Sequence, residues 1–63
     1  MLEFAESVLD KIRRLRRETH DLIVSGTVRD MEQYRYLLGR LEGYDFLESE
    51  VKSLLSKQTE YLS

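Results

Sequence analysis

The chain contains 63 residues with a formal net charge of −2, and 35% of its residues are charged while 41% are hydrophobic. The absence of cysteine excludes a disulfide framework, and the small negative charge excludes a general electrostatic attraction to nucleic acid. No apolar run exceeds three residues, which is too short for a transmembrane helix, and the acidic segment 1–6 predicts no signal peptide. We expect one domain over residues 1–63, too small for its own core to stabilise it strongly.

Residues 2–24 predict one amphipathic helix. Its apolar positions follow a 3-4 spacing that places them on one side: Ala5, Val8, Ile12, Leu15, Thr19 and Leu22. Leu9 and Ile23 widen this stripe. Ser25 and Gly26 then predict a turn over residues 25–27, because glycine tolerates a positive φ.

A second helix is predicted over residues 28–62. Thr27 and Asp30, three positions apart, match the pattern of a capping box at its start, and the chain has no proline to interrupt the helix. A turn this short makes the two helices antiparallel neighbours. The predicted fold is therefore all-α, an antiparallel helical hairpin whose second helix is the longer one.

The unequal helix lengths predict an apolar overhang at the C-terminal end. If residues that face each other across the turn have numbers that sum to about 52, Leu2 lies near Glu50 and the chain after Val51 projects beyond the hairpin. The overhang then carries Val51, Leu54, Leu55 and Leu62. We expect oligomerisation, or docking on a larger protein, to cover these side chains.

The second helix also carries two faces. The stripe expected to meet the first helix comprises Tyr34, Leu37, Leu38, Leu41, Tyr44, Leu47, Val51, Leu54 and Leu55. Almost opposite lies a face of two glycines between two aromatic residues, which we interpret as a protein interface: Tyr36, Gly39, Gly43 and Phe46. The alternative is that the two glycines are tolerated defects or mark a bend.

A basic cluster follows the middle of the first helix: Lys11, Arg13, Arg14, Arg16 and Arg17. On the outer face of the helix these side chains could contact phosphates or an acidic protein surface. The alternative is ion pairing within the helix, since three acid–base pairs stand four residues apart: Asp10 with Arg14, Arg14 with Glu18, and Arg17 with Asp21.

No catalytic, cofactor or metal site is predicted. His20 is the only histidine, and no cysteine or second histidine accompanies it. A hairpin of this size offers no concave pocket that would shift the pKa values of the carboxylates on the second helix: Glu42, Asp45, Glu48 and Glu50. We therefore expect the protein not to be an enzyme and to need no cofactor.

Residues 20–55 resemble small helical-hairpin proteins encoded among the head and tail genes of tailed bacteriophages. The resemblance lies in the turn and in the residues that follow it: Ser25, Gly26, Asp30, Tyr34, Leu38, Gly39, Leu41 and Gly43. It implies a component of the virion or of its assembly that packs on capsid, portal or tail proteins. It also implies a location in the virion or the host cytoplasm.

The leading hypothesis from the sequence is therefore a structural interaction protein of a phage virion, with protein partners that include larger virion proteins or further copies of itself. One alternative is a dimeric helical-hairpin regulator that binds nucleic acid through the arginines of the first helix, similar in plan to the repressor-of-primer hairpin. The other is a host-directed adaptor or inhibitor that lays its second helix into a groove of its target.

Overall fold

The computed structural model describes the backbone of residues 2–62 and the side chains of residues 2–57. Two helices, α1 (Leu2–Val24) and α2 (Met31–Leu62), account for all described residues except the turn over 25–30. They pack side by side and antiparallel in a molecule that measures 50 × 16 × 12 Å. The predicted all-α helical hairpin is confirmed, with a first helix of 23 residues and a second of 32.

The turn begins where the sequence predicts it and ends three residues later. Gly26 adopts a φ of +81°, the left-handed conformation that glycine tolerates and that ends α1. Ser25 supports this end, because its backbone N–H donates to the carbonyl of Asp21 at 2.9 Å and its hydroxyl donates to the carbonyl of Leu22 at 2.9 Å. The predicted turn over 25–27 is thus too short, since α2 starts at Met31 rather than at residue 28.

Asp30, not Thr27, caps the start of α2. The backbone N–H of Gln33 donates to Asp30 Oδ1 at 2.8 Å, and Gln33 Oε1 accepts from the backbone N–H of Arg29 at 2.9 Å. Asp30 is thus the N-cap residue, and the Gln33 side chain accepts from the residue before it, a variant of the capping box three residues further along the chain. The Thr27 hydroxyl instead lies 2.9 Å from the Ser25 hydroxyl, so it serves the turn and not the helix.

The two helices lie in a different register from the predicted one. The ion pairs Arg13–Glu48 and Arg16–Asp45 join residues whose numbers sum to 61, not 52. The longer turn accounts for part of the shift, and side chains that lean toward the N-terminus of their own helix account for the rest. Leu2, the first residue of α1, therefore lies beside α2 a few residues beyond Glu50.

The predicted overhang begins too early, although α2, with 32 residues against 23, does extend beyond α1. Val51 and Leu55 are half-buried, whereas Leu54 is exposed because it faces away from α1. The predicted contribution of Leu62 lies outside the side chains that the structure describes. Among the described side chains, the exposed apolar residues therefore lie along the hairpin.

A seam of buried and half-buried residues joins the helices at a 3-4 spacing. On α1 it comprises Ala5, Leu9, Ile12, Arg16, Thr19 and Ile23, and on α2 Leu37, Leu41, Tyr44, Glu48, Val51 and Leu55. Buried Thr19 satisfies its hydroxyl by donating to the carbonyl of Leu15 at 2.8 Å.

This seam corrects the predicted stripes. Four residues expected to face the opposite helix are exposed: Leu22, Tyr34, Leu47 and Leu54. The error arises because Arg16 and Glu48 occupy the centre of the seam, where a search for apolar residues does not place a charge. Apolar spacing alone favours neighbours such as Leu47, which is 48% exposed, over these charged seam positions.

Candidate protein-docking surface

A cluster of ion pairs lies at the centre of the seam. Arg13 Nε donates to Glu48 Oε2 at 2.7 Å, Arg16 Nη1 donates to Glu48 Oε1, and Arg16 also reaches Asp45 Oδ1 at 3.3 Å. Lys52 Nζ lies 3.6 Å from the same Glu48 carboxylate, whose side chain is only 8% exposed. One buried carboxylate therefore collects three cations from both helices.

The hydrogen bond from Arg13 lowers the pKa of Glu48, and the positive charges of Arg16 and Lys52 lower it further against the opposing effect of burial. The carboxylate is thus held ionised across the seam. A charge pair that is satisfied only in one alignment of two helices fixes their register, because any slip leaves the charge buried without its partner. The cluster has a structural role in this hairpin.

The basic cluster of α1 is divided by this arrangement. Arg13 and Arg16 do not lie on the outer face as predicted, because both turn toward the carboxylates of α2. Lys11, Arg14 and Arg17 are exposed. Among the described side chains, the predicted pairs within α1 do not form, and His20 with Asp21 at 3.8 Å is the contact found there.

A shallow depression lies on the same side of the hairpin as the ion pairs. It is lined mainly by cationic and polar side chains: Arg13, Arg16, Arg17, His20, Leu41 and Asp45. Its two inner guanidinium groups already hold carboxylates of α2. We call this side of the hairpin the charged face.

The opposite side of the hairpin carries an apolar surface. On α1, Phe4, Leu15 and Leu22 are spaced by 11 and 7 residues, which aligns them along the helix. Tyr36, Leu47 and Leu54 repeat the same spacing on α2. Each of these six residues directly precedes a seam position in the sequence. Since consecutive helical residues are rotated by about 100°, the side chains on each helix lie on one side of the seam.

The geometry of an antiparallel pair brings these two lines onto one surface. Two antiparallel helices are related by a twofold axis that is normal to the plane containing both helix axes. Rotation about this axis keeps a residue on its own side of the plane, so residues that precede a seam position lie on the same side in both helices. Residues that directly follow seam positions, such as Arg13, Arg17, His20 and Asp45, meet around one depression as this rule requires. The residues that precede seam positions therefore share the other side, which we call the apolar face: Phe4, Leu15, Leu22, Tyr36, Leu47 and Leu54.

Most of the apolar face is open to solvent. Phe4 is 71% exposed, Tyr36 63% and Leu54 62%, while Leu22 and Leu47 are nearly half exposed. Aligned apolar side chains in such number mark an interaction surface, whereas single exposed ones need no explanation. Charged and polar residues stand between them on the same face, among them Lys11, Glu18, Arg40 and Glu50.

The predicted glycine–aromatic interface stays a prediction, since its four residues are all exposed and fall within about 80° of one another around α2. Tyr36 and Gly43 lie on the apolar face, whereas Gly39 and Phe46 turn toward the outer side of α2, where Phe46 is 65% exposed. A Cβ atom built on Gly39 or Gly43 would meet nothing within 4 Å. Packing within one chain therefore does not require glycine at either position.

Arg40 lies on the apolar face and contacts two neighbouring aromatic rings. Its guanidinium lies 5.8 Å from the ring centre of Tyr36 and 5.7 Å from that of Tyr44, and Nη2 donates to Tyr44 Oη at 2.9 Å. Such cation–π contacts hold an extended side chain against the rings. These contacts place the Arg40 charge between the apolar side chains of this face.

The sequence reasoning did not assign four members of this surface to an interface: Phe4, Leu15, Leu22 and Leu47. The signal that would have found them is the shared spacing of 11 and 7 residues on both helices, one position before the seam.

Neither helix, over the part of the chain that the structure describes, combines the length and apolarity needed to cross a membrane. The chain matches no protein-family model, no curated protein and no solved structure.

Proposed function

We propose that this chain is a small structural interaction protein that works by packing the apolar face of its hairpin against protein. The observation that carries the proposal is the alignment of exposed apolar side chains on one side of the molecule, opposite a charged face. Phe4, Tyr36 and Leu54 are the most exposed of them. Burial of such a side chain stabilises a complex by about 1.5–3 kcal/mol before entropy costs.

The resemblance of residues 20–55 to hairpins of tailed bacteriophages supports a virion or its assembly as the setting. Capsid, portal and tail proteins are then the larger partners, because they offer extended protein surfaces in many copies. A host-directed adaptor would use the same apolar face, so it differs from the leading proposal only in the identity of its partner.

The arrangement of charges gives less support to the alternative that this chain regulates nucleic acid. Two of the four arginines expected to meet phosphates, Arg13 and Arg16, are committed to Glu48 and Asp45. Nucleic-acid binding would rely on Lys11, Arg14 and Arg17, which are interspersed with the acidic residues of α1.

Affinity purification of the full chain from the cells that produce it tests the proposal. We expect protein partners to be lost with Phe4→Glu, which puts a charge on the apolar face, and to be retained with Phe46→Glu. Phe46 is the matched control because it is similarly exposed but lies outside that face. Nucleic acid as the main copurifying species, or equal recovery of partners with both variants, would reject a protein-packing role of this face.

A further inference from the structure

We infer that the occupant of the apolar face is a second copy of this chain, so that two hairpins form an antiparallel four-helix bundle. The inference rests on the proposed function, because it names the partner of the same face. In this arrangement α1 packs on α1 and α2 on α2, each pair antiparallel. One twofold axis crosses the bundle at right angles to the helices, as an isologous dimer requires.

The single chain exposes more surface than a compact monomer, by about the area that one side of a dimer interface covers. A compact monomer of 7.5 kDa is expected to expose about 4,200 Å², whereas this hairpin exposes 5327 Å². The excess is about 1,100 Å², and a standard protein interface buries about 800 Å² on each partner. One further hairpin on the apolar face would thus bring the exposed area per chain to that of an ordinary small domain.

The sequence of α2 along this face is complementary to itself when reversed. The line advances by steps of 4, 3, 4, 3 and 4 residues through Tyr36, Arg40, Gly43, Leu47, Glu50 and Leu54, and it is symmetric about residue 45. An antiparallel copy centred there places Arg40 opposite Glu50, Gly43 opposite Leu47, and Tyr36 opposite Leu54. A cation meets an anion, a glycine meets a leucine, and an aromatic ring meets an apolar side chain.

The details of these side chains fit their assigned neighbours. Gly43 has open space around its missing side chain in the single hairpin, which leaves room for Leu47 of the second copy. A guanidinium has five N–H donors, so the hydrogen bond from Arg40 to Tyr44 leaves donors that can bind the Glu50 carboxylate of the second copy. This assignment explains a helical glycine that packing within one chain does not explain.

The same axis also pairs the ends of the apolar line of α1, whereas its inner positions bring Lys11 opposite Leu15. Phe4 and Leu22, the exposed ends of its apolar line, are symmetric about residue 13. Residues 13 and 45 lie within about one helical turn of each other along the hairpin, because Arg13 bonds Glu48 and Arg16 bonds Asp45. A single twofold axis that passes near residues 13 and 45 therefore places Phe4 against Leu22 of the second copy. The same axis places Tyr36 of α2 against Leu54 of the second copy.

Sedimentation equilibrium of the purified full chain tests the inference. We expect the wild type and Phe46→Glu to sediment as dimers of about 15 kDa, twice the 7.5 kDa of one chain. Leu47→Glu should weaken dimerisation at least about a hundredfold, because each dimer would bury two unpaired carboxylates. A wild-type monomer at micromolar concentration, or equal dimerisation of the two variants, would overturn the inference.

A second test exchanges the charges of Arg40 and Glu50, so that its readout is the choice of dimer partner and not the loss of the dimer. Arg40→Glu and Glu50→Arg should each weaken the homodimer about threefold to tenfold, and an equimolar mixture of the two variants should favour the heterodimer. Equal amounts of homodimer and heterodimer in that mixture would refute the proposed register. A monomeric chain whose Phe4→Glu variant still loses a different protein partner would reject the second copy and leave the proposed function intact.

Discussion

Replacing Leu37 by alanine is expected to lower the free energy of unfolding by about 2–5 kcal/mol, because it removes a leucine from the seam and leaves a cavity between the helices. Leu37 is the most deeply buried apolar residue described, at 4% exposure. A hairpin of this size has only a few kcal/mol of stability to lose. The variant should therefore be largely unfolded at room temperature, as measured by circular dichroism in a urea titration at fixed protein concentration.

Leu2→Ala provides the control for this prediction. Leu2 is an exposed leucine at the start of α1, so its truncation should change the free energy of unfolding by less than about 0.5 kcal/mol. Equal losses in the two variants would show that Leu37 is not the buried contact that the seam requires.

Acidification is expected to destabilise the hairpin through Glu48. Since the hydrogen bond from Arg13 lowers the pKa of Glu48 in the folded state, the ionised carboxylate stabilises the fold at pH values above its unfolded pKa. This stabilisation is lost as the pH falls through the lowered folded pKa. Thermal denaturation from neutral to strongly acidic pH should show the loss as a falling melting temperature.

Glu48→Gln should remove this part of the pH dependence. The variant should already melt at a lower temperature near neutral pH, because Arg13 and Arg16 lose their shared carboxylate partner. Glu42→Gln is the matched control, since Glu42 is an exposed carboxylate on the same helix. If the difference in melting temperature between Glu48→Gln and the wild type did not shrink on acidification, the ion-pair cluster would not have the stabilising role assigned to it.

The hairpin could be predicted from the sequence because it depends on local and periodic features. Two stretches with 3-4 apolar spacing and a serine–glycine pair between them specify two helices and a tight reversal. Gly26 has the positive φ that the sequence suggested. The end of the turn could not be predicted, because Thr27 and Asp30 are both good N-cap residues. In the folded chain the Thr27 hydroxyl contacts Ser25, and the Asp30 carboxylate accepts from the first turn of α2.

The seam and the apolar face could not be predicted in the same way. A count of apolar positions assigns charges to solvent, but Arg16 and Glu48 neutralise each other across the seam and so belong to it. Once they are placed there, Leu22 and Leu47 are assigned to the exposed apolar face. The pairing is nonlocal, because these two residues are 32 positions apart and meet only when the helix register is known.

Disulfide trapping between two singly substituted chains tests the central claim most directly, since the wild type contains no cysteine. When a Gly43→Cys chain and a Leu47→Cys chain are mixed and mildly oxidised, we expect a covalent heterodimer to form much faster than either homodimer. Mixing the Leu47→Cys chain with a Glu42→Cys chain, whose cysteine lies off the apolar face, should give no such preference. Equal rates of disulfide formation in both mixtures would contradict an antiparallel pairing of the apolar faces centred on residue 45.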